Sequence, residues 1–204
     1  MKTLAILGAS GHGKVVADIA ELSGWDNVIF YDDAWPVLNK NGYWDIVGNT
    51  EDLLKSPFEK VFIAIGDGRV RNEKAKELIN HNKTIETLIH PSAIISKYSS
   101  VGSGTIVCEG AVIKAFSVVG ENNIINSNSV IGHDCLIKNG CHISLGATIA
   151  GNVIIDINSW VGNNASVRQN ISIGSNVMIG SGAVVVKNIS SNITVVGNPA
   201  KPIK

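Results

Sequence analysis

The hydrophobic pattern changes its rule partway along the chain. Up to about residue 85, apolar residues form short runs separated by polar, helix-spaced stretches. Thr3–Leu7, Asn27–Tyr31 and Lys60–Ile65 each read as a short buried strand. Between the first two, Lys14–Leu22 sets Val15, Val16, Ile19, Ala20 and Leu22 at helical spacing, and Arg71–Asn80 reads as the helix that follows the third strand. Strand, helix, strand, then a further strand and helix predict a small Rossmann-like parallel α/β sheet.

From residue 89 the period becomes six. Ile or Val stands at every sixth position from Ile89 to Val185 without exception, and four places after each the residue is mostly small, as at Ala93, Thr105, Ala111, Ser117, Cys135 and Ala147. A sixfold period predicts a left-handed parallel β-helix of hexapeptide repeats, three to a triangular coil, with Ile and Val stacked inside. The expected organisation is therefore an α/β domain over residues 1–85, followed by an all-β solenoid with a C-terminal tail over residues 86–204.

Composition narrows the function. Hydrophobic residues make up 45% and charged residues 17%, which suits a folded chain. Lys plus Arg and Asp plus Glu number 17 each, and a net charge of zero argues against a nucleic-acid partner. No apolar run approaches the ~18–20 residues of a membrane span, and MKTLAILGASGHG is too broken by glycine for a signal peptide. Cys108, Cys135 and Cys141 are odd in number and lack CxxC spacing, so reduced thiols in a cytoplasmic protein are expected. Cys135 and Cys141 fall on the small inward position, which makes them core residues.

Two regions carry candidate chemistry. Gly8-Ala9-Ser10-Gly11-His12-Gly13-Lys14 lies between the first strand and the first helix, where backbone N–H groups and the helix dipole favour a phosphate. As a P-loop it has Val15 where a Mg²⁺-binding hydroxyl belongs. As a dinucleotide fingerprint its glycines are out of order, although Asp32-Asp33 follow the second strand where a ribose-binding carboxylate would lie. One mononucleotide half suits a nucleotide diphosphate better than a dinucleotide, and a purely structural turn is the remaining reading.

In the solenoid, His133 occupies the third place of its hexapeptide, near a corner, and Asp134 follows it. One coil of eighteen residues puts Gly151 directly above, ~4.8 Å away. A general base beneath an unobstructed N–H suits acyl transfer. His142 is half a coil further on and faces another side of the prism, so a site using both histidines is most easily assembled across a subunit interface. Two histidines also raise a metal held between subunits, as in γ-type carbonic anhydrases, but no third ligand is evident.

With GASGHGKV at the start, YDD and AIGD after the second and third strands, IHPSA entering the solenoid, INSNSVIGHDCLIKNGCHIS and a terminal GNPAK, the chain resembles the nucleotide-sugar acetyltransferases that make 4-acetamido-4,6-dideoxy sugars, grouped with sialic acid O-acetyltransferases. The resemblance implies acetyl-CoA as co-substrate, no metal and a homotrimer with acetyl-CoA between neighbouring solenoids. It implies acetylation of the 4-amino group of a UDP- or dTDP-linked sugar, with O-acetylation of sialic acid or another sugar hydroxyl as the alternative. By the family pattern His133 is the base, Asp134 its support and Gly151 the oxyanion donor. Asn126 would touch the sugar phosphate, and His142, Gly151 and Lys201 would serve acetyl-CoA. The nucleotide would be held by Gly8, Ser10, Gly11, His12, Gly13, Asp32, Asp33, Gly66 and Asp67. In some relatives Glu follows the base where this chain has Asp134.

Overall fold

Thr3–Leu7 forms β1, whose buried Leu4, Ala5 and Ile6 place it at the centre of a parallel sheet. In the computed structural model, which describes residues 1–203, the chain divides into two units, Met1–Pro91 and Ser92–Lys204. Lys204, the last residue of the expected second domain, lies outside the described residues.

In the first unit, β1 is followed by α1 (Gly11–Leu22) and β2 (Asn27–Tyr31). Next come β3 (Lys40–Asn41), β4 (Trp44–Gly48), α2 (Thr50–Lys55), β5 (Lys60–Ile63), α3 (Gly68–Asn80) and β6 (Thr84–Ile85). The strand order is β3-β4-β2-β1-β5-β6, parallel except for the β3–β4 pair. The chain leaves β1 to one side for β2 and later returns on the other for β5. The carboxyl end of β1 is thus a topological switch point, where open α/β sheets bind ligands.

β1, β2, β5 and both long helices follow the sequence reading, although α1 starts within the Gly-rich loop and α3 begins at Gly68. β3 and α2 carry too few residues to show a period, and the sequence reading leaves out β4, which is as long as β1 and β2. The six residues of α2 are held by a capping box, in which Asn49 accepts from the Asp52 N–H and Asp52 accepts from the Asn49 N–H, each at 3.0 Å.

The second unit is a left-handed β-helix. Its two-residue strands stack in register eighteen residues apart, so Val130 pairs with Thr148 and Thr148 with Ser166, whose hydroxyls also bond. Three sheets result: one holds His142–Ile143 and ends in the antiparallel pair Thr194–Val196 and Lys201–Ile203, a six-stranded parallel one holds Val130–Ile131, and a five-stranded parallel one holds Leu136–Ile137. Ile125, Ile131, Ile137, Ile143 and Val161 are fully buried.

The small inward position has a second use. Ser117 and Ser159 donate their hydroxyls, and Cys135 and Cys141 their thiols, to carbonyls fifteen residues on. A corner carbonyl is satisfied in each case, which is why this position takes Ser, Thr and Cys as readily as Ala. Cys135 and Cys141 are buried thiols as expected, Cys108 is buried too, and burial raises the pKa of Cys108 to about 12 and that of Cys135 above its ordinary value. At the corners, every sixth residue from Gly104 to Gly182 is left-handed, and all but two of these are Asn or Gly. The last coil breaks the register: Met178 pairs with Thr194, sixteen residues on.

Candidate functional site

The carboxyl edge of the first unit's sheet gathers the loop candidates. Gly8, at φ +106°, closes the turn after β1, and a Cβ there would lie 3.0 Å from the Ala64 carbonyl oxygen. A Cβ at Gly13 would lie 2.6 Å from the Gly8 oxygen, so that glycine lets α1 sit close over the strand. These two glycines are demanded by packing. Gly11 and Gly66 are not, because an added Cβ at either meets nothing within 4 Å. Both leave space open beside the switch point.

The helix ends differ in charge. Ser10 is the N-cap of α1, yet its side chain makes no cap bond, and the first turn holds no acidic residue. The positive end of α1 is therefore available to an anion. At α3, Asp67 accepts from the N–H groups of Arg69 and Val70, which closes that end.

The other loop carboxylates are also engaged with backbone. Asp32 accepts from the Ala9 N–H at 2.7 Å and the Ala34 N–H at 2.9 Å, clamping the Gly-rich loop. Asp33 accepts from Thr50 N–H at the start of α2, and hydrogen bonds from Thr50 hold its pKa below the usual carboxylate value. Of the two, Asp32 braces the Gly-rich loop, and Asp33 anchors the start of α2.

His12 sits in the first turn of α1 with its Nε2 buried and without a hydrogen-bond partner. Burial, followed by the nearby Arg71 charge, lowers its pKa to about 4, so the ring is neutral near pH 7. Because the folded pKa lies below the unfolded value of 6.5, the unfolded chain takes up a proton first as the pH falls. This contribution to stability is complete above about pH 6.5 and is lost as the pH falls towards 4, on the order of 3 kcal/mol at most. Urea midpoints of wild type and His12→Gln, followed by tryptophan fluorescence from pH 7 to 4, should show this slope in wild type and a flatter one in the variant.

Arg71 escaped the sequence reading. It is 1% exposed, and its Nη1 donates to the carbonyls of Ile65 at 2.6 Å and Gly66 at 2.9 Å. A buried guanidinium thus fixes the turn that follows β5. The available signal was an arginine on the apolar face of α3, in line with Ala75 and Leu78.

In the second unit, His133 lies at the corner between the six- and five-stranded sheets. Its Nδ1 is 2.6 Å from Asp134 Oδ2. An ionised carboxylate only accepts, so Nδ1 carries the ring proton and the Nε2 lone pair is left open. A Cβ on Gly151 would lie 2.5 Å from His133 Cε1 and Nε2, so the ring rests against a residue that must be bare. The Gly151 N–H makes no hydrogen bond within the described residues. Asp134 is left-handed at φ +58°, and even with its short arm it reaches the imidazole.

A groove of about 510 Å³ runs up the six-stranded face from this corner, past Val130, Thr148 and Ser166, with Lys114 and Arg168 along its edge. His142 stands on the remaining sheet, the face opposite the His133 corner. There its Nε2 is 3.2 Å from Asn126 Nδ2, and its ring packs on Trp160 with centroids 4.3 Å apart. The structure therefore joins Asn126 to His142 and separates both from His133. Lys201 is exposed on the final strand, Lys201–Ile203. No group of three or more His, Cys, Asp or Glu is placed to hold a metal among the described residues, and none of their helices is long and apolar enough to cross a membrane.

Comparison with known proteins agrees with both units. Residues 3–78 match the PglD N-terminal domain family. The UDP-N-acetylbacillosamine N-acetyltransferase of Bacillus subtilis (strain 168) is 35% identical over 111 residues, covering 52% of this chain. The chain spans about half the length of the curated relatives it matches. Among solved structures, the acetyltransferase domain of PglB from Neisseria gonorrhoeae FA1090 superposes with a TM-score of 0.94 at 36% identity, each chain covered in full. That domain has also been solved with acetyl coenzyme A. PerB from Caulobacter crescentus, in complex with CoA and GDP-perosamine, superposes with a TM-score of 0.94 at 30% identity over 100% of this chain and 98% of its own.

Proposed function

The chain belongs to the hexapeptide-repeat N-acetyltransferases of nucleotide-linked amino sugars, and on that premise we propose that it transfers acetyl from acetyl-CoA to the 4-amino group of a UDP- or dTDP-linked 4-amino-4,6-dideoxy sugar. The observation that carries this reading is the His133 imidazole, oriented by Asp134 and resting against bare Gly151. The amine nitrogen attacks the thioester carbonyl carbon and passes its proton to His133 Nε2 as the C–N bond forms. The Gly151 N–H donates to the oxyanion. Collapse breaks the C–S bond, and the imidazolium returns the proton to the departing sulfur.

The groove beside this corner suits acetyl-CoA as substrate, with an apolar floor for the extended arm and Lys114 and Arg168 for its phosphates. The nucleotide diphosphate belongs at the open end of α1, where Gly11 and Gly66 leave room and Ser10 is uncommitted. Gly8 and Gly13 shape that loop, neutral His12 lines it and Asp32 clamps it, while Asp33 and Asp67 fix the neighbouring starts of α2 and α3. Gly11→Val should fold normally and raise the Michaelis constant for the sugar nucleotide about tenfold or more, with that for acetyl-CoA unchanged. Steady-state kinetics with each substrate varied will show this, and equal effects on both constants would reduce the loop to a turn.

Asn126 and His142 face away from His133 within one chain, so we assign the working form to a homotrimer. There the Asn126–His142 face of one copy meets the His133 corner of the next, and Lys201 adds to the acetyl-CoA contacts. Light scattering of the purified protein checks the assembly. The reaction itself is tested by offering acetyl-CoA with UDP-, dTDP- and GDP-linked 4-amino sugars and with free sialic acid, read by acetyl mass gain and thiol release. Turnover of sialic acid alone would replace the amine acceptor by a hydroxyl.

A further inference from the structure

Of the left-handed corner residues from Gly104 to Gly182, the two that are neither Asn nor Gly are Asp134 and Phe116. They are eighteen residues apart and so stack in adjacent coils, joined where the Asp134 N–H donates to the Ala115 carbonyl at 3.1 Å. Asp134 has a reason to be there in its bond to His133. Phe116 has none within the fold. An aromatic residue at φ +62° is strained relative to Asn, and its side chain is 63% exposed, so it gains little by burial.

Its neighbours complete a small built surface. Tyr98, 59% exposed, stacks on Phe116 with ring centroids 5.5 Å apart and an interplanar angle of 25°. The Lys97 ammonium lies 4.9 Å from the Tyr98 centroid. Tyr98 stacks on Phe116 from the coil beneath, and the coil above carries His133 and Asp134. That coil is ~4.8 Å away. Directly above Phe116 that coil carries Asp134, whose carboxylate bonds to His133 Nδ1, and directly below His133 the chain has only Ala115.

We infer that Phe116, backed by Tyr98, is the sugar-binding platform of the acceptor site and stacks on the apolar face of the deoxyhexose whose amine His133 deprotonates. The inference rests on the acetyltransferase reading above and adds the residues that grip the sugar. The part of the acceptor within one coil of the reacting amine is the pyranose ring. The pyrophosphate and nucleobase lie on its far side. Ring C–H bonds and a 6-methyl group present a weakly positive apolar surface, which the electron-rich face of an aromatic ring attracts.

The test is Phe116→Asn, which installs the residue that other positions of this series use, with Phe116→Tyr as the conservative partner. Phe116→Asn should melt at or above the wild-type temperature and keep the wild-type oligomeric state. It should raise the Michaelis constant for the sugar nucleotide roughly three- to tenfold. The constants for acetyl-CoA and for inhibition by the free nucleoside diphosphate should stay unchanged. Phe116→Tyr should retain wild-type kinetics. An unchanged sugar-nucleotide constant in Phe116→Asn overturns the inference. A matching loss in nucleoside diphosphate inhibition would make the platform a base contact, and dissociation of the assembly would make it a subunit contact. Failure of wild type to acetylate any nucleotide amino sugar would instead defeat the reading on which the inference rests.

Discussion

His133→Ala is expected to lower turnover by about two to four orders of magnitude while leaving the melting temperature and both Michaelis constants nearly unchanged. The side chain is 64% exposed at a corner, outside the Ile/Val stack, so its loss costs the solenoid little. No other titratable side chain lines the groove except Lys114 and Arg168, which are cations and cannot accept the proton. Asp134→Asn offers a cleaner dissection than usual, because Asn is at home in the left-handed corner position. It should fold normally and lose less activity than His133→Ala, since the base remains but its tautomer is no longer enforced. Retention of more than about a third of wild-type turnover by His133→Ala would show that the amine reaches the thioester already neutral.

The parts of the fold that the sequence announced are those set by repetition. Seventeen Ile or Val residues in sixfold register, from Ile89 to Val185, leave only one stack, and the eighteen-residue coil then puts Gly151 above His133 before any coordinate is known. β1, β2 and β5 were visible for a similar reason, as continuous apolar runs in a sheet buried on both faces. What stayed hidden depends on single contacts. β3 has two residues and α2 six, and neither length supports a period.

The loop carboxylates show the same limit. Asp32, Asp33 and Asp67 stand where ligand-binding acids would stand, and sequence position alone does not separate a carboxylate that meets ribose from one that accepts loop N–H groups. Arg71 reads as one more helix charge until Ala75 and Leu78 place it on the buried face. The aromatic pair was overlooked because Tyr98 and Phe116 fall outside the inward positions that the period reports. Its significance appears only when backbone angles show that Phe116 occupies a site kept for Asn and Gly.

Gly151→Ala should lower turnover by about two to three orders of magnitude with almost no loss of stability. The added methyl group would lie 2.5 Å from His133 Nε2, closer than real Cβ contacts allow, and the atom it meets is the free end of an exposed ring. The ring swings aside cheaply, because it takes no part in the bonds that hold the coils together here, from Asn152 N–H to the His133 carbonyl and from Asn170 N–H to the Gly151 carbonyl. Catalysis loses the base from its place beneath the Gly151 N–H. The damage therefore runs through His133, and the double-mutant cycle should be strongly non-additive. With His133 already alanine, the second methyl group meets no imidazole, and His133→Ala/Gly151→Ala should turn over within about threefold of His133→Ala alone. Additive losses would mean that the methyl group blocks the thioester and not the ring, so that Gly151 is bare for the substrate's sake and its closeness to His133 plays no part.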